Sequence, residues 1–577
     1  MKTNYLFLAG FIALGLIACN KEERFSPDKG QEPTGNTYMQ IQVIGPTAGI
    51  GTKTDATDDG TEEGTIGENT ISNLRVILVP VGDEDDTRKA QSFLVKEDEL
   101  SEISVDDVEK YTGYATPKLK VAAEGEYEVF VIANDKTDES VWKNIENTDV
   151  VDIVIEEVNE DAMKTTYAKA SNFMMFNESN GSDDIKGEPI TIEKKNDFDN
   201  PARCENVIRL DRLAVKIAPT VNDGLEPENL KIDTGLENIN NRFPSSSASP
   251  AVNPVESVTL EGFKLLNGAK KAYLQQHWLR SEEEQKDGLI AEGNTVNWDN
   301  TLLTPNALTA ETDYYNSLSE FRTLTIDDEG TYTTVQDNFD KLPYYDYDLS
   351  SSSKSKLATI YCMENNSTYD RSGGVIKDAL NGNTTGLVFR WKVALGSGLS
   401  DKTAGENCFY AYNDEYFTKL EDIQARYPGI FSPAEADITT PDSNPYYGQN
   451  QETADLNKAK DELAAAYNSG TPDQKKISDW RVKYNIKVYT EGTMYYLYFI
   501  KDQNYCQGDP KATYYSVMRN TVYKLNITGL GGIGTDIPGG WDPDVVPEKP
   551  VDNYPLYMIV EVKANPWVIS KEDIILK

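Results

Sequence analysis

Apolar residues in this chain fall largely at alternate positions, in short runs separated by turns rich in Gly, Pro, Asn and Asp. That is the spacing of strands that bury one face. TYMQIQVIG (37–45) reads as a first strand carrying Tyr38, Met39, Ile41 and Val43. ISNLRVILVPVG (71–82) reads as a buried strand ending at a turn, VAAEGEYEVFVIAND (121–135) as a turn and a strand, and FMMFN (173–177) as another. In CENVIRLDRLAVKIAPTV (204–221), Val207, Leu210, Leu213, Val215 and Ile217 are expected inside, with Arg209, Arg212 and Lys216 outward. Together these make one β-domain, and the Ser-, Pro- and Asn-rich stretch 222–253 marks its boundary. Beyond it VESVTLEGFKLLNGAKKAYL (255–274) predicts a strand, a turn and a second strand. LATIYCMENN (357–366), TTGLVFRWKVAL (384–395), YLYFIKD (496–502) and RNTVYKLNITGL (519–530) predict further strands. Helical spacing is convincing only in ETADLNKAKDELAAAYNSG (452–470), which closes on a glycine.

The run YPLYMIVEVKANPWVISKEDIILK (554–577) follows an extended Pro-rich lead-in, 537–555. Met558, Val560, Val562 and Ala564 alternate with Tyr557, Ile559, Glu561 and Lys563, giving a strand with one wholly apolar face. Asn565-Pro566 is expected to interrupt its ladder. Trp567, Val568 and Ile569, then Ile574, Ile575 and Leu576, form two more apolar clusters. A long apolar strand with no partner strand after it is an aggregation hazard unless something covers it. It either closes its own sheet or pairs with another chain.

The other end of the chain bears on that choice. Lys2 precedes an apolar run, Tyr5 to Ile17, too short to span a membrane, and LIAC at 16–19 fits the bacterial lipobox. The reading is a lipoprotein signal peptide over 1–18 and an exported chain lipidated at Cys19, with diacylglycerol on its sulfur and palmitate as the acyl class. A polar tether (20–36) leads to the first strand. The acidic stretch 46–69 after it lacks the ligand order and closing glutamate of an EF-hand and reads as a solvated loop. It contains Lys53, a basic residue where proteases cut exposed chain.

Charge narrows the partners. The 95 acidic against 56 basic residues leave a net charge of −39, which argues against nucleic acid. A length of 577 residues calls for two or more domains. Cys204, Cys362, Cys408 and Cys506 are widely spaced without a CxxC pair, so no metal site is expected, and both disulfides and buried thiols stay open. The single histidine, His277 beside Trp278, reads as a partly buried strand-end residue. No GxSxG elbow, HExxH, P-loop or GxGxxG after a strand is present. The reading is of no catalytic residues, no cofactor and no enzyme. Tyr344, Tyr345 and Tyr347 suit sugar stacking, although loop or strand aromatics are the commoner explanation.

With those stretches in order, the chain resembles the fimbrillins of the Bacteroidales type V pili, and among them the shaft subunit of the short fimbria. The resemblance rests on the lipobox, the first strand followed by a basic residue, NLRVILVPVG, YEVFVIAND, VIRLDRLAVKI, VTLEGFKLLNGAKKAYL, CMENN and VFRWKV. Its most specific parts are VMRNTVYKLNITGL (517–530), with Arg-Asn-x-x-Tyr-x-Leu-x-Ile, and MIVEVKANPW (558–567). The linkers and the helical insertion fall outside it.

The resemblance implies a mostly β fold of two β-sandwich-like, transthyretin-like domains with a donated C-terminal strand. The expected organisation is a propeptide over 19–53, domains over 54–221 and 222–545, and a donor tail over 546–577. It also implies an outer-membrane lipoprotein precursor from which a trypsin-like protease removes the first strand. The groove so exposed takes the C-terminal strand of the next identical subunit. Relatives cut after arginine; here Lys53 stands at the matching position, with Thr54 as the new N-terminus. A cut at Arg24 would not free the first strand, and one at Arg75 would break a core strand. Expected partners are identical copies, anchor and tip fimbrial subunits and the maturation protease; no adhesion receptor is specified. The competing functions are a monomeric glycan-binding surface lipoprotein and a tip or accessory adhesin.

Overall fold

The computed structural model describes residues 36–46, 62–82, 87–107, 109–136, 142, 150, 153–156, 158, 162–169, 172–177, 187–224, 230–244, 253–266, 268–279, 301–303, 314–315, 345–346, 359–366, 385–468, 472–500, 502, 516–536 and 558–568. The first half contains β1 (Thr37–Met39), β2 (Gln42–Ile44), β3 (Glu62–Glu63), α1 (Ile66–Asn69), β4 (Asn73–Pro80), β5 (Gln91–Lys96), β6 (Ser101–Asp107) and β7 (Glu109–Ala115). β8 (Leu119–Val121), β9 (Gly125–Ala133), β10 (Met175–Asn177), β11 (Glu188–Ile192) and β12 (Ile208–Arg212) follow. One path of paired strands runs β5-β4-β9-β10-β12-β2-β7-β6, with β11 also on β9. β4 lies between β5 and β9 and buries five consecutive residues, Leu74 to Leu78. A strand covered on both faces is continuously apolar instead of alternating. Arg75 within that run is tolerated because Asp135 meets its Nε at 2.5 Å.

The chain changes sheet at Leu213, whose N–H donates to the Met174 carbonyl at 3.0 Å. β13 (Ala214–Val221) therefore belongs to the second half, although its residues run on from β12 without a linker. The second half continues with β14 (Lys231–Ile232), β15 (Val255–Leu266), β16 (Ile360–Met363), β17 (Gly386–Leu395), β18 (Phe409–Tyr412) and β19 (Glu415–Phe417). Next come α2 (Leu420–Arg426), α3 (Gln451–Tyr467), α4 (Gln474–Tyr484), β20 (Lys487–Tyr489), β21 (Thr493–Phe499), β22 (Thr521–Leu530) and β23 (Met558–Val568). Two five-stranded sheets form, one ordered β16-β13-β22-β23-β3, the other β14-β15-β17-β21 with the short strand Tyr345–Asp346 on β15. Val215, Ile217, Leu525 and Ile527 of the first share a core with Val258, Leu260, Phe389 and Trp391 of the second. The fold is mostly β, and this half is a sandwich.

β17 and β21 pair up to Lys392↔Thr493, and the chain between them forms an excursion with its own core of Leu420, Ile423, Leu456, Leu463, Trp480 and Tyr484. α3 starts where the Asn450 side chain accepts the Thr453 N–H at 2.9 Å. It buries Ala459, Leu463 and Ala466 along one face. α4 packs beside it, with Trp480 Nε1 donating to the Ala459 carbonyl at 2.8 Å. Three helices thus stand where the sequence predicts one.

Candidate functional site: the first-strand slot and the C-terminal strand

The expected first strand is present, divided at Gln40 and Ile41 because it changes partners there. β1 pairs antiparallel with β8, Thr37↔Val121 to Met39↔Leu119. On its other side Tyr38 N–H donates to Asn196 O, and Ala202 N–H donates to Tyr38 O, both at 2.8 Å. At the break Ile41 N–H donates to Thr116 Oγ1 at 3.0 Å, and Thr116 N–H returns a bond to Ile41 O at 2.9 Å. β2 then lies between β7, antiparallel with Val43↔Tyr114, and β12, parallel with Ile208↔Val43.

Met39, Ile41 and Val43 are fully buried, and Tyr38 sits edge-on to Phe198 with centroids 5.3 Å apart. Gln40 is half-buried, donating through Nε2 to Thr116 O at 3.0 Å and accepting from Arg203 at 2.7 Å. β2 is an interior strand of its path, so removing it separates β12 from β7 by about two strand spacings, roughly 10 Å. The walls left behind include Tyr114, Leu119, Val121, Ile208 and Leu210, all buried in the intact chain.

At the other end, β23 pairs antiparallel with β22 from Leu530↔Met558 to Thr521↔Pro566, with one register shift between Ile527 and Gly529. Met558 and Ala564 are buried, and Val560 and Val562 are half-buried against the core. Ile559 is 47 % exposed. Asn565-Pro566 does not interrupt the strand as expected. Pairing with β22 stops at Pro566, which has no N–H to donate, but Trp567 and Val568 continue in parallel register with Glu62 and Glu63 of β3.

A buried polar cluster joins the two halves between these features. Arg212, expected outward, is fully buried. Its Nε donates to Glu68 O at 3.0 Å, its Nη1 to Asn520 Oδ1 at 3.1 Å, and its Nη2 to Asn69 Oδ1. Glu68 Oε1 accepts from Lys216 Nζ at 2.8 Å and from Tyr361 OH at 2.6 Å. Burial alone would raise the Glu68 carboxyl, but Lys216, Tyr361 and the Thr65 N–H together hold it below its ordinary value. Burial brings the Arg212 guanidinium down to about 10, against the opposing charges of Glu68 and Asp211. Arg212 ends β12, a wall of the slot, and Asn520 precedes β22, the partner of β23. This contact therefore ties the slot to the C-terminal strand.

Cys19, Lys53, Thr54, Ile569, Ile574, Ile575 and Leu576 lie outside the described residues, as does Arg24. Arg75 is inside β4, as expected. His277 is buried and stacked on Tyr273, with ring centroids 3.9 Å apart. Cys204, Cys362 and Cys408 are free thiols; Cys506 lies outside the described residues. Burial pushes Cys204 and Cys362 up to about 12, far from thiolate chemistry. Among the described residues no group of His, Cys, Asp and Glu could hold a metal ion.

Comparison with known proteins falls on the C-terminal strands. Residues 487–573, which include β21, β22 and β23, match the family described as major fimbrial subunit protein type IV, fimbrillin, C-terminal. No curated protein sequence matches the chain. Among solved structures, a candidate cell adhesion protein of Parabacteroides distasonis is 12% identical with a TM-score of 0.40, over 92% of this chain and 99% of that one. A fimbrilin of Porphyromonas gingivalis is 14% identical with a TM-score of 0.36, over 93% and 98%. The C-terminally truncated tip fimbrial protein Mfa3 of the same organism is 10% identical with a TM-score of 0.30, over 92% and 99%. Residues 487–573 thus carry the C-terminal domain of the fimbrillins, a family of structural fimbrial subunits.

Proposed function

We propose that the chain is the shaft subunit of a surface fimbria that supports adhesion. It is exported as a lipoprotein on Cys19 and cut after Lys53 by a trypsin-like protease. It then polymerises with identical copies by strand exchange, alongside anchor and tip subunits. The observation that carries this reading is the placement of β1 and β2. β2 fills an interior position between β7 and β12 and β1 pairs with β8, yet both lie upstream of Lys53 and can be released without breaking β4 or any later strand. An emptied slot presents apolar walls and two edges of unpaired backbone, which is costly in water. An extended segment of another copy refills it by β-augmentation. The donor lies within the apolar segment that follows Pro566 (Trp567, Val568, Ile569, Ile574, Ile575 and Leu576), while β22 keeps Met558, Val560 and Val562 in their own sheet. The contact runs head to tail without closing, so it builds a filament.

Deleting residues 567–577 tests the reading. The truncated chain should be exported, processed and folded, with unchanged circular dichroism, and remain monomeric. An SDS-resistant ladder from the truncated protein would refute donation by the C-terminal segment.

A further inference from the structure

β3 is only two residues long, yet it is the second partner of β23 and takes over where β22 stops. We infer that Glu62 and Glu63 clamp the root of the C-terminal tail, that the clamp stays closed in the filament, and that Val568 is the last residue each subunit keeps. The inference rests on the strand-exchange reading and narrows the donor to the chain beyond Val568.

Three features make this clamp more than a chance pairing. The Glu62 carboxylate reaches across β23 to the strand beyond it, forming an ion pair with Lys524 of β22 and accepting from Asn565 Nδ2 of β23 at 3.1 Å. It thus ties the two strands together one residue before the β22 ladder ends. β3 is also anchored from behind. Thr65 N–H donates to Glu68 Oε2 at 2.7 Å, and Asn69 Nδ2 donates to Gly64 O at 2.9 Å, folding the chain after Glu63 into a compact turn. That turn is fastened by Arg212, Lys216 and Tyr361 in the buried cluster. The third feature is position in the chain. Glu62 follows Lys53, so a cut there removes the slot strand and leaves the clamp with the mature subunit. Processing then separates two jobs that are contiguous in the precursor: the segment before the cut fills the slot, and the segment after it fixes where the tail departs.

A disulfide lock tests this in the full-length chain. Glu63 and Val568 are directly paired, at the ~4.8 Å spacing of neighbouring strands, within the roughly 4.4–6.8 Å between Cα atoms that a disulfide accepts. The double variant Glu63→Cys, Val568→Cys is oxidised as a precursor, processed, and allowed to assemble with and without reductant. The expected result is equal polymer yield in both conditions, with peptide mapping of the oxidised filament finding the bond within one subunit. Assembly only after reduction would overturn the clamp, because Val568 would then have to leave β3. Failure of the bond to form in the folded precursor would overturn it as well. Should this variant fail to fold, Glu62→Cys with Trp567→Cys, the adjacent pair of the same ladder, decides the matter by the same two outcomes. Loss of assembly in the unsubstituted protein would instead sink strand exchange, and bond formation in the precursor would still judge whether the pairing exists.

Discussion

Replacing Ile41 by alanine should weaken the precursor and leave the filament untouched. Ile41 is fully buried in the core of the first half, and its backbone bonds to Thr116 do not involve the side chain. Truncating a buried isoleucine to alanine costs about 2–5 kcal/mol, the transfer of the lost carbons plus the cavity they leave. With a urea dependence of about 2–3 kcal/mol per M, the precursor's unfolding midpoint falls by roughly 1–2 M. If maturation discards β1 and β2, the truncated side chain is absent from the filament. The temperature at which filaments dissociate in SDS is then the wild-type value. Leu525→Ala is the control, since Leu525 is equally buried but lies on β22, which the mature subunit keeps. It should lower both readings. A filament weakened by Ile41→Ala in step with its precursor would show that the first strand stays in place. An unaffected precursor would show that Ile41 does not carry the packing described.

Cys19→Ala should abolish labelling with a palmitate analogue and stop surface assembly; unchanged labelling would remove the lipobox from the account. Lys53→Ala should leave a full-length monomeric precursor, read by mass spectrometry, whereas wild-type filaments should begin at Thr54. The buried cluster predicts a pH dependence. Glu68 is held below its ordinary value in the folded chain, so it contributes stability above the usual carboxylate range and loses it as pH falls through its depressed folded value. Glu68→Gln should therefore be less stable at neutral pH, by up to about 3 kcal/mol, the low end for breaking a buried pair because Lys216 keeps some water contact. The difference from wild type should close in acid. A constant difference from pH 7 down to pH 3, measured by urea denaturation at each pH, would contradict that assignment.

Most strands were legible because each alternates apolar and polar residues over enough length to declare its face. The first strand was legible in the same way, but its division was not, since the change of partner at Gln40 depends on Thr116 and Ala202, far along the chain. Arg212 was misplaced by its charge. Counting by twos from Ile208 and Leu210 puts it inward, and only the convergence of Glu68, Asn69 and Asn520 makes that tolerable. Those partners are 143 to 308 residues away in sequence. β3 carried no signal at all: two glutamates at the end of an acidic stretch of sequence do not read as a strand, and their partner lies at the opposite end of the chain. α4 was hidden for a different reason. Its buried residues Ile477, Trp480 and Tyr484 are few and spread among lysines, so the helix becomes recognisable only with α3 beside it.

If one slot holds two different strands in succession, a photo-crosslinker in its wall reads this directly. Tyr114 faces Val43 across the β7–β2 ladder and is buried, and the photo-crosslinker azidophenylalanine differs from tyrosine only in carrying an azide where tyrosine has its hydroxyl. With that residue at position 114, irradiated precursor should give crosslinks within one chain, to residues 37–46. Irradiated filaments should give crosslinks between chains, from position 114 to the segment beyond Val568. Crosslinks to residues 37–46 in the assembled filament would contradict the account.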